Sequence, residues 1–79
     1  MDFTFIDKIE CDELCYKLLK ANFYRNYFVI IAQSKREFAC GSIYANLNEA
    51  ISFFNQIAQS NTDVCSLFDI LSDFAKQKS

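Results

Sequence analysis

The hydrophobic pattern of this chain changes its period once, at Tyr44, and that change limits the possible folds. Before Tyr44 the apolar residues form short alternating or continuous runs rich in aromatic and β-branched types, which is typical of strands. After Tyr44 they recur at helical spacing, at positions 47, 50, 51, 54, 57 and 58. Strands followed by helices predict an α+β fold.

Four strands are predicted, at residues 2–10, 14–22, 27–33 and 37–44. The third contains the continuous apolar run from Tyr27 to Ala32, which suits a central strand. The links between the strands are short and polar, and a parallel crossover would need a dozen residues or more. The sheet is therefore expected to be an antiparallel meander.

Two amphipathic helices are predicted after the sheet. Asn46 stands three residues before Glu49, the spacing of a capping box, so the first helix should begin there. Residues 59–63 interrupt the pattern, and Thr62 or Asp63 can cap a second helix. Its inward residues would be Val64, Leu67, Phe68, Leu71 and Phe74. The simplest arrangement packs both helices on one face of the sheet, in a single domain spanning residues 1–79.

The chain is short for the amount of apolar surface that it carries. It has 79 residues, of which 52% are hydrophobic, with nine Phe and four Tyr. A domain of this size buries only about 60% of the surface that its unfolded chain exposes. A self-associating face is therefore expected, and a homodimer stays open. Gly41, the only glycine, lies within the fourth strand, where we favour a β-bulge over a close approach of another group.

The sequence predicts a cytoplasmic protein with no membrane partner. No run reaches the roughly 18 to 20 apolar residues of a membrane span. The start of the chain, with Asp2, lacks the positive charge of a secretory signal. The four cysteines are accordingly interpreted as reduced thiols.

Residues suited to catalysis are scarce, and we expect no enzyme and no cofactor. The chain has no histidine, which removes the usual acid-base group. Cys65, near the start of the second helix, is the one thiol in a setting that could lower its pKa, but core packing is the favoured interpretation. Asp69 and Asp73 are interpreted as a solvated helix face.

Metal and phosphate sites are also not predicted. Cys11 and Cys15 straddle a predicted hairpin, and a zinc site would need Cys40 and Cys65 to approach them from far along the chain. A lone glycine cannot build a loop whose backbone amides cradle phosphate.

The link between the second and third strands is the predicted partner-binding site. Two rings and an arginine at a hairpin tip are residue types that dominate binding hot spots. The predicted partner-binding residues are Phe23, Tyr24, Arg25 and Tyr27. An equally weighted alternative is that Phe23 and Tyr24 fold back to cover the sheet. We predict a non-catalytic protein-interaction module, a small regulator or an inhibitor, of the kind that a phage or mobile element encodes against a host protein.

A second hypothesis is a single-stranded nucleic-acid-binding protein. Residues 16–36 contain aromatic residues interspersed with basic residues, including Lys17, Lys20 and Arg25. Proteins that bind single-stranded nucleic acid stack its bases on aromatic side chains beside cationic ones. The whole chain has a net charge of −2, and Tyr16 and Phe28 are expected in the core. Nucleic acid is therefore disfavoured as a partner.

The C-terminal three-fifths of the chain resembles an uncharacterised family of short bacterial proteins. The similar features are the strand starting at Tyr27, the helix start at Asn46-Leu47-Asn48-Glu49, and the second helix from Val64 to Phe74. Cys65 departs from the pattern, which would have a proline at the start of that helix. The resemblance implies no activity and assigns no functional residue.

Overall fold

The protein is a four-stranded antiparallel meander followed by two helices. The structure, a computed structural model, describes residues 2–60 and 64–78. The elements are β1 (Phe3–Cys11), β2 (Leu14–Ala21), β3 (Tyr27–Gln33), β4 (Phe38–Tyr44), α1 (Leu47–Gln59) and α2 (Val64–Lys78). The strand order is β1-β2-β3-β4, with every neighbouring pair antiparallel. The predicted α+β class and meander are confirmed, and each strand begins and ends within one residue of its predicted bounds.

Alternate residues of the strands build the hydrophobic core. Tyr16 and Leu18 of β2 and Phe28 and Ile30 of β3 are almost completely buried. Their cluster also contains Ala32, Ala39 and Ile43 from the sheet, Phe54 and Ile57 from α1, and Leu67 and Leu71 from α2. The prediction that Tyr16 and Phe28 belong to the core is confirmed.

The start of α1 is fixed by the predicted capping box. Asn46 Oδ1 accepts a hydrogen bond from the Glu49 amide at 2.8 Å, and Glu49 Oε1 accepts one from the Asn46 amide at 3.5 Å. Both bonds satisfy amides that have no partner within the helix. Leu47, expected in the apolar stripe, is 47% exposed, because it occupies the first helical position before the stripe turns inward.

Gly41 receives a side chain from α2, and the prediction of a bulge there is wrong. β3 and β4 pair without a shift of register, with Gly41 opposite Ile30. A Cβ atom at Gly41 would meet Leu71 Cδ1, so the missing side chain lets α2 come close to the strand. The described register shift lies in β1, between Phe5 and Asp7.

The second helix runs from Val64 to Lys78, and Val64, Leu67 and Leu71 are buried as predicted. The predicted caps, Thr62 and Asp63, and the side chains of Phe68 and Phe74 lie outside the described residues.

Candidate functional site

The sheet face opposite the buried strand residues is largely uncovered within the described chain, and we call it the open face. Register places Leu19 beside Val29, Val29 beside Ser42, and Phe5 beside Leu19. The pleat then assigns one alternate set of side chains to this face. All but the buried Ala21 are at least partly exposed. The set is Phe3, Phe5, Lys8, Glu10, Cys15, Lys17, Leu19, Ala21, Tyr27, Val29, Ile31, Gln33, Phe38, Cys40, Ser42 and Tyr44.

Five rings form a continuous aromatic cluster at one end of the open face. Phe3 meets Phe23 edge to face, with ring centroids 5.5 Å apart, and Phe23 lies 5.1 Å from Tyr24. Tyr27 lies 6.2 Å from Phe23, 5.9 Å from Tyr24 and 4.9 Å from Tyr44. Pairs at these separations contribute about 0.5 to 1.5 kcal/mol each beyond their buried area. The cluster therefore joins the β2–β3 turn to both edge strands.

Two asparagines hold the turn that carries this cluster. The Asn22 amide donates to Asp2 O at 2.8 Å, and Thr4 Oγ1 donates to Asn22 Oδ1 at 2.8 Å. Asn26 has φ of 59°, a left-handed conformation that asparagine tolerates better than most residues. Its carbonyl accepts a hydrogen bond from the Ala45 amide at 2.9 Å. The turn is thus tied to both edges of the sheet, which fixes where its rings stand.

The four predicted partner-binding residues lie together. Phe23, Tyr24 and Arg25 are exposed, and Tyr27 is half-buried beneath the first two. Arg25 borders a shallow depression whose other residues include Tyr44 and Glu49. The suggestion that Phe23 and Tyr24 cover the sheet is met only in part, because both rings contact Tyr27 while each stays more than half exposed.

Sequence reasoning missed the contribution of the edge strands to this site. Phe3 and Tyr44 complete the aromatic cluster, and Phe5 and Phe38 extend the apolar surface along the same face. Tyr44 could have been found from hairpin parity, since the short β3–β4 turn pairs it directly with Tyr27. Phe3 required knowledge of the β1–β2 register.

The opposite end of the open face is charged. Lys8 Nζ lies 3.0 Å from Glu10 Oε1 within the same strand. Glu10 accepts a hydrogen bond from Lys8 and its negative charge favours the protonated amine, so the pKa of Lys8 lies above its usual value. Lys17 is directly opposite Lys8 on β2 and is half-buried. The open face is therefore aromatic at one end and charged at the other.

The basic residues of segment 16–36 do not share one surface. Lys17 is on the open face, whereas Lys20 pairs with Phe28 on the core side of the sheet. Lys35 and Arg36 are in the β3–β4 turn, at the end of the sheet away from Arg25. Tyr16 and Phe28 are buried and cannot stack on a base.

Among the described cysteines, Cys11 lies on the other side of the sheet from Cys15 and Cys40. Cys11 Sγ lies 4.0 Å from the Ala58 carbonyl of α1, while Cys15 and Cys40 are on the open face. Within residues 2–60 and 64–78, no group of three or more Cys, Asp, Glu or His is placed to hold a metal. The side chain of Cys65 lies outside the described part of the chain.

A groove of about 530 Å³ lies on the helical side, lined by residues that include Phe53 and Ile70. Asp73 and Glu49 are at its border, and Asp69 is exposed to solvent as predicted. This groove is open, and it contains none of the predicted partner-binding residues.

Comparisons with known proteins give no relative: no family model, no curated protein and no solved structure matches this chain. The resemblance to short bacterial proteins stays a prediction. None of the helices in the described residues is long and apolar enough to cross a membrane.

Proposed function

We propose that this protein is a non-catalytic interaction module, a small regulator or inhibitor, that binds a protein partner through its aromatic turn. The observation that carries this proposal is the cluster in which Phe23, Tyr24 and Tyr27 support one another beside the exposed Arg25. Phe23, Tyr24, Arg25 and Tyr27 form the contact surface.

The turn is suited to binding because its rings are held in place before a partner arrives. Tyrosine and arginine are enriched in hot spots, and tyrosine offers a large contact area at a low cost in side-chain entropy. The Asn22 amide donates to Asp2 O and the Asn26 carbonyl accepts from the Ala45 amide, so both ends of the turn are fixed and little ordering is left to oppose association. Arg25 adds a cation that can pair with a carboxylate of the partner.

The proposal also requires that α1 and α2 both cover the other face of the sheet. Buried residues of both helices, such as Phe54 and Leu67, belong to the same cluster as Phe28 and Ile30. Cys11 Sγ approaches the Ala58 carbonyl of α1, and Leu71 of α2 packs on Gly41. These contacts support a two-layer arrangement that leaves the open face to a partner.

The rest of the proposal rests on expectations from the sequence. The absence of histidine and of a glycine-rich loop favours a binding role over catalysis. We propose a bacterial cytoplasmic protein, and a related proposal is an inhibitor of a host protein that a phage or mobile element encodes.

The test is capture of a partner from host lysate by the tagged protein, with and without nuclease. The variant Tyr24→Ala/Arg25→Ala should lose the captured protein, because it removes the exposed ring and the charge of the turn. The matched control is Lys35→Ala/Arg36→Ala, which removes exposed charge from the other hairpin turn. Equal capture by the wild type and both variants would contradict the proposal.

Single-stranded nucleic acid is the alternative ligand, and one observation favours it. Lys17 stands on the open face beside Ile31 and within the sheet that carries the aromatic cluster, so a strand could stack on the rings while its phosphates meet Lys17. In this case nuclease would abolish capture, and a labelled oligonucleotide would bind at low salt and dissociate as salt rises.

A further inference from the structure

We propose that the open face binds a second copy of this chain, sheet against sheet, in a two-fold symmetric dimer. The dimer uses the strand residues of the face and leaves the turn with Tyr24 and Arg25 at its rim. This inference goes beyond the proposed function, with which it shares the requirement that no helix covers the open face.

The exposed apolar area of the open face is the first argument. Its four exposed strand rings are Phe3 (39%), Phe5 (56%), Phe38 (60%) and Tyr44 (63%). Together they equal a little over two fully exposed aromatic side chains, or ~440 Å² at roughly 200 Å² each. The smaller exposed parts of the half-buried Leu19, Tyr27, Val29 and Ile31 add to this area.

Monomeric proteins usually leave a largest apolar patch of about 300 to 600 Å², and larger patches mark interaction sites. The smallest specific interfaces bury about 600 Å² per partner. The four rings supply most of the area that a second copy needs, and the other residues of the open face supply the rest.

The layout of the face is self-complementary. A two-fold axis that runs between β2 and β3, parallel to the strands, sets β2 of one copy against β3 of the other. Leu19 then packs on Val29 of the second copy, and Phe3 meets its Tyr44. Two sheets in this relation pack about 10 Å apart with their strands within about 30° of one another.

The charged end of the face selects this axis. A two-fold axis across the strands would place Lys8 over Phe5 and Glu10 over Phe3, which buries charges against rings. The axis along the strands sets Glu10 over Phe38 and Lys8 over Cys40 of the second copy, so it also brings one charge near a ring. It keeps the charged ends of both copies at one rim, however, where Lys8, Glu10 and the long side chain of Lys17 reach water.

Antiparallel pairing of two β4 edges is opposed by the position of α2. β4 has no charged residue that would oppose edge pairing. The hydrogen bonds at both ends of the β3–β4 hairpin show that the backbone N–H and C=O groups of Phe38, Cys40, Ser42 and Tyr44 point away from β3. Leu71 packs on Gly41, however, so α2 lies over this edge strand. Adjacent strands are about 4.8 Å apart, whereas packed helices need about 8 to 10 Å, so the two copies of α2 would collide.

The edge strand on the other side, β1, has features that oppose pairing with another strand. β1 carries the Lys8–Glu10 ion pair and a register shift between Phe5 and Asp7. Charges and irregular pairing at an edge oppose the addition of another strand. Both edges are therefore less suited to a second copy than the open face.

The test is the mass of the full chain in solution, measured by sedimentation velocity from low micromolar to submillimolar concentration. We expect the wild type to approach twice the 9.2 kDa of one chain. Phe5→Glu and Tyr44→Glu should each weaken self-association by at least roughly 30-fold, because each places a charge on the interface of both copies. Both positions are exposed, and circular dichroism should show that the variants stay folded.

The control is Leu47→Glu, which makes the same kind of change at an exposed apolar residue that lies outside the strands. It should dimerise as the wild type does. A wild type that stays at 9.2 kDa throughout would overturn the inference, as would a dimer that neither face variant weakens. If the protein is a monomer but still captures a partner through Tyr24 and Arg25, the dimer alone is overturned. If the open face forms a dimer but no captured protein depends on Tyr24 and Arg25, the proposed function alone is overturned.

Discussion

Replacing Gly41 with alanine would place a methyl group where Leu71 of α2 packs on β4. Two effects oppose one another. Alanine in a strand interior is more stable than glycine by roughly 0.5 to 1 kcal/mol, because glycine loses more backbone entropy on folding. An extra carbon in a packed contact costs about 1 to 3 kcal/mol. The expected net result is a loss of about 1 kcal/mol in the free energy of unfolding.

Making the same substitution in a Leu71→Ala variant isolates the contact between Gly41 and Leu71. Leu71→Ala alone should cost about 2 to 5 kcal/mol, since it leaves a cavity at a buried site. In that background Gly41→Ala fills space and should stabilise the protein by roughly 0.5 to 1 kcal/mol. Urea denaturation of the four proteins measures the cycle. The reasoning is refuted if Gly41→Ala has the same effect in both backgrounds.

Three further predictions concern local contacts. Asn46→Ala should lower the free energy of unfolding by about 1 kcal/mol in urea denaturation, because it removes the cap of α1, and an unchanged midpoint would contradict the capping role. Asn26→Ala should cost roughly 1 kcal/mol while Asn26→Gly stays near neutral, since φ is positive there, and equal midpoints for the two variants would argue against a conformational cause. Tyr24→Ala/Arg25→Ala should lower the free energy of unfolding by about 1 to 3 kcal/mol in urea denaturation, because the exposed Tyr24 ring still contacts Phe23 and Tyr27, whereas a larger loss would mean that the turn is structural.

The sheet could be predicted because local signals agree with the tertiary structure. Short links imposed antiparallel pairing, and the run beginning at Tyr27 identified a strand with neighbours on both sides. The spacing of Asn46 and Glu49 alone predicted the start of α1. Each signal is contained in a few neighbouring residues and needs no knowledge of the rest of the fold.

The role of Gly41 could not be predicted in the same way. A glycine within a strand fits either a bulge or a close approach, and the choice depends on what packs above it. Leu71 follows Gly41 by thirty residues, and its place over the strand is set by the packing of α2. The bulge that does exist, next to Phe5, reflects the pairing of β1 with β2 and has no glycine to mark it.

The aromatic cluster of the candidate site could be predicted in its centre but not at its edges. Phe23, Tyr24, Arg25 and Tyr27 are neighbours in sequence, so their grouping was visible. The addition of Tyr44 depends on the β3–β4 register, which the turn fixes: Ser34 Oγ accepts hydrogen bonds from the amides of Arg36 and Glu37, and the Ser34 amide donates to Glu37 O. A shift of one residue would have moved Tyr44 to the core side.

The most direct test of the central claim, that the sheet presents an uncovered face which a second copy occupies, uses Cys40 as a probe. Cys40 is exposed on that face beside Ile31, whereas Cys11 is half-buried on the core side. Alkylation of the native protein, followed by peptide mass spectrometry, gives the labelling rate of each thiol. We predict that Cys40 labels rapidly in dilute protein and becomes protected as concentration rises, while Cys11 does not change. Slow labelling of Cys40 in dilute protein, or a rate independent of concentration, would contradict the account.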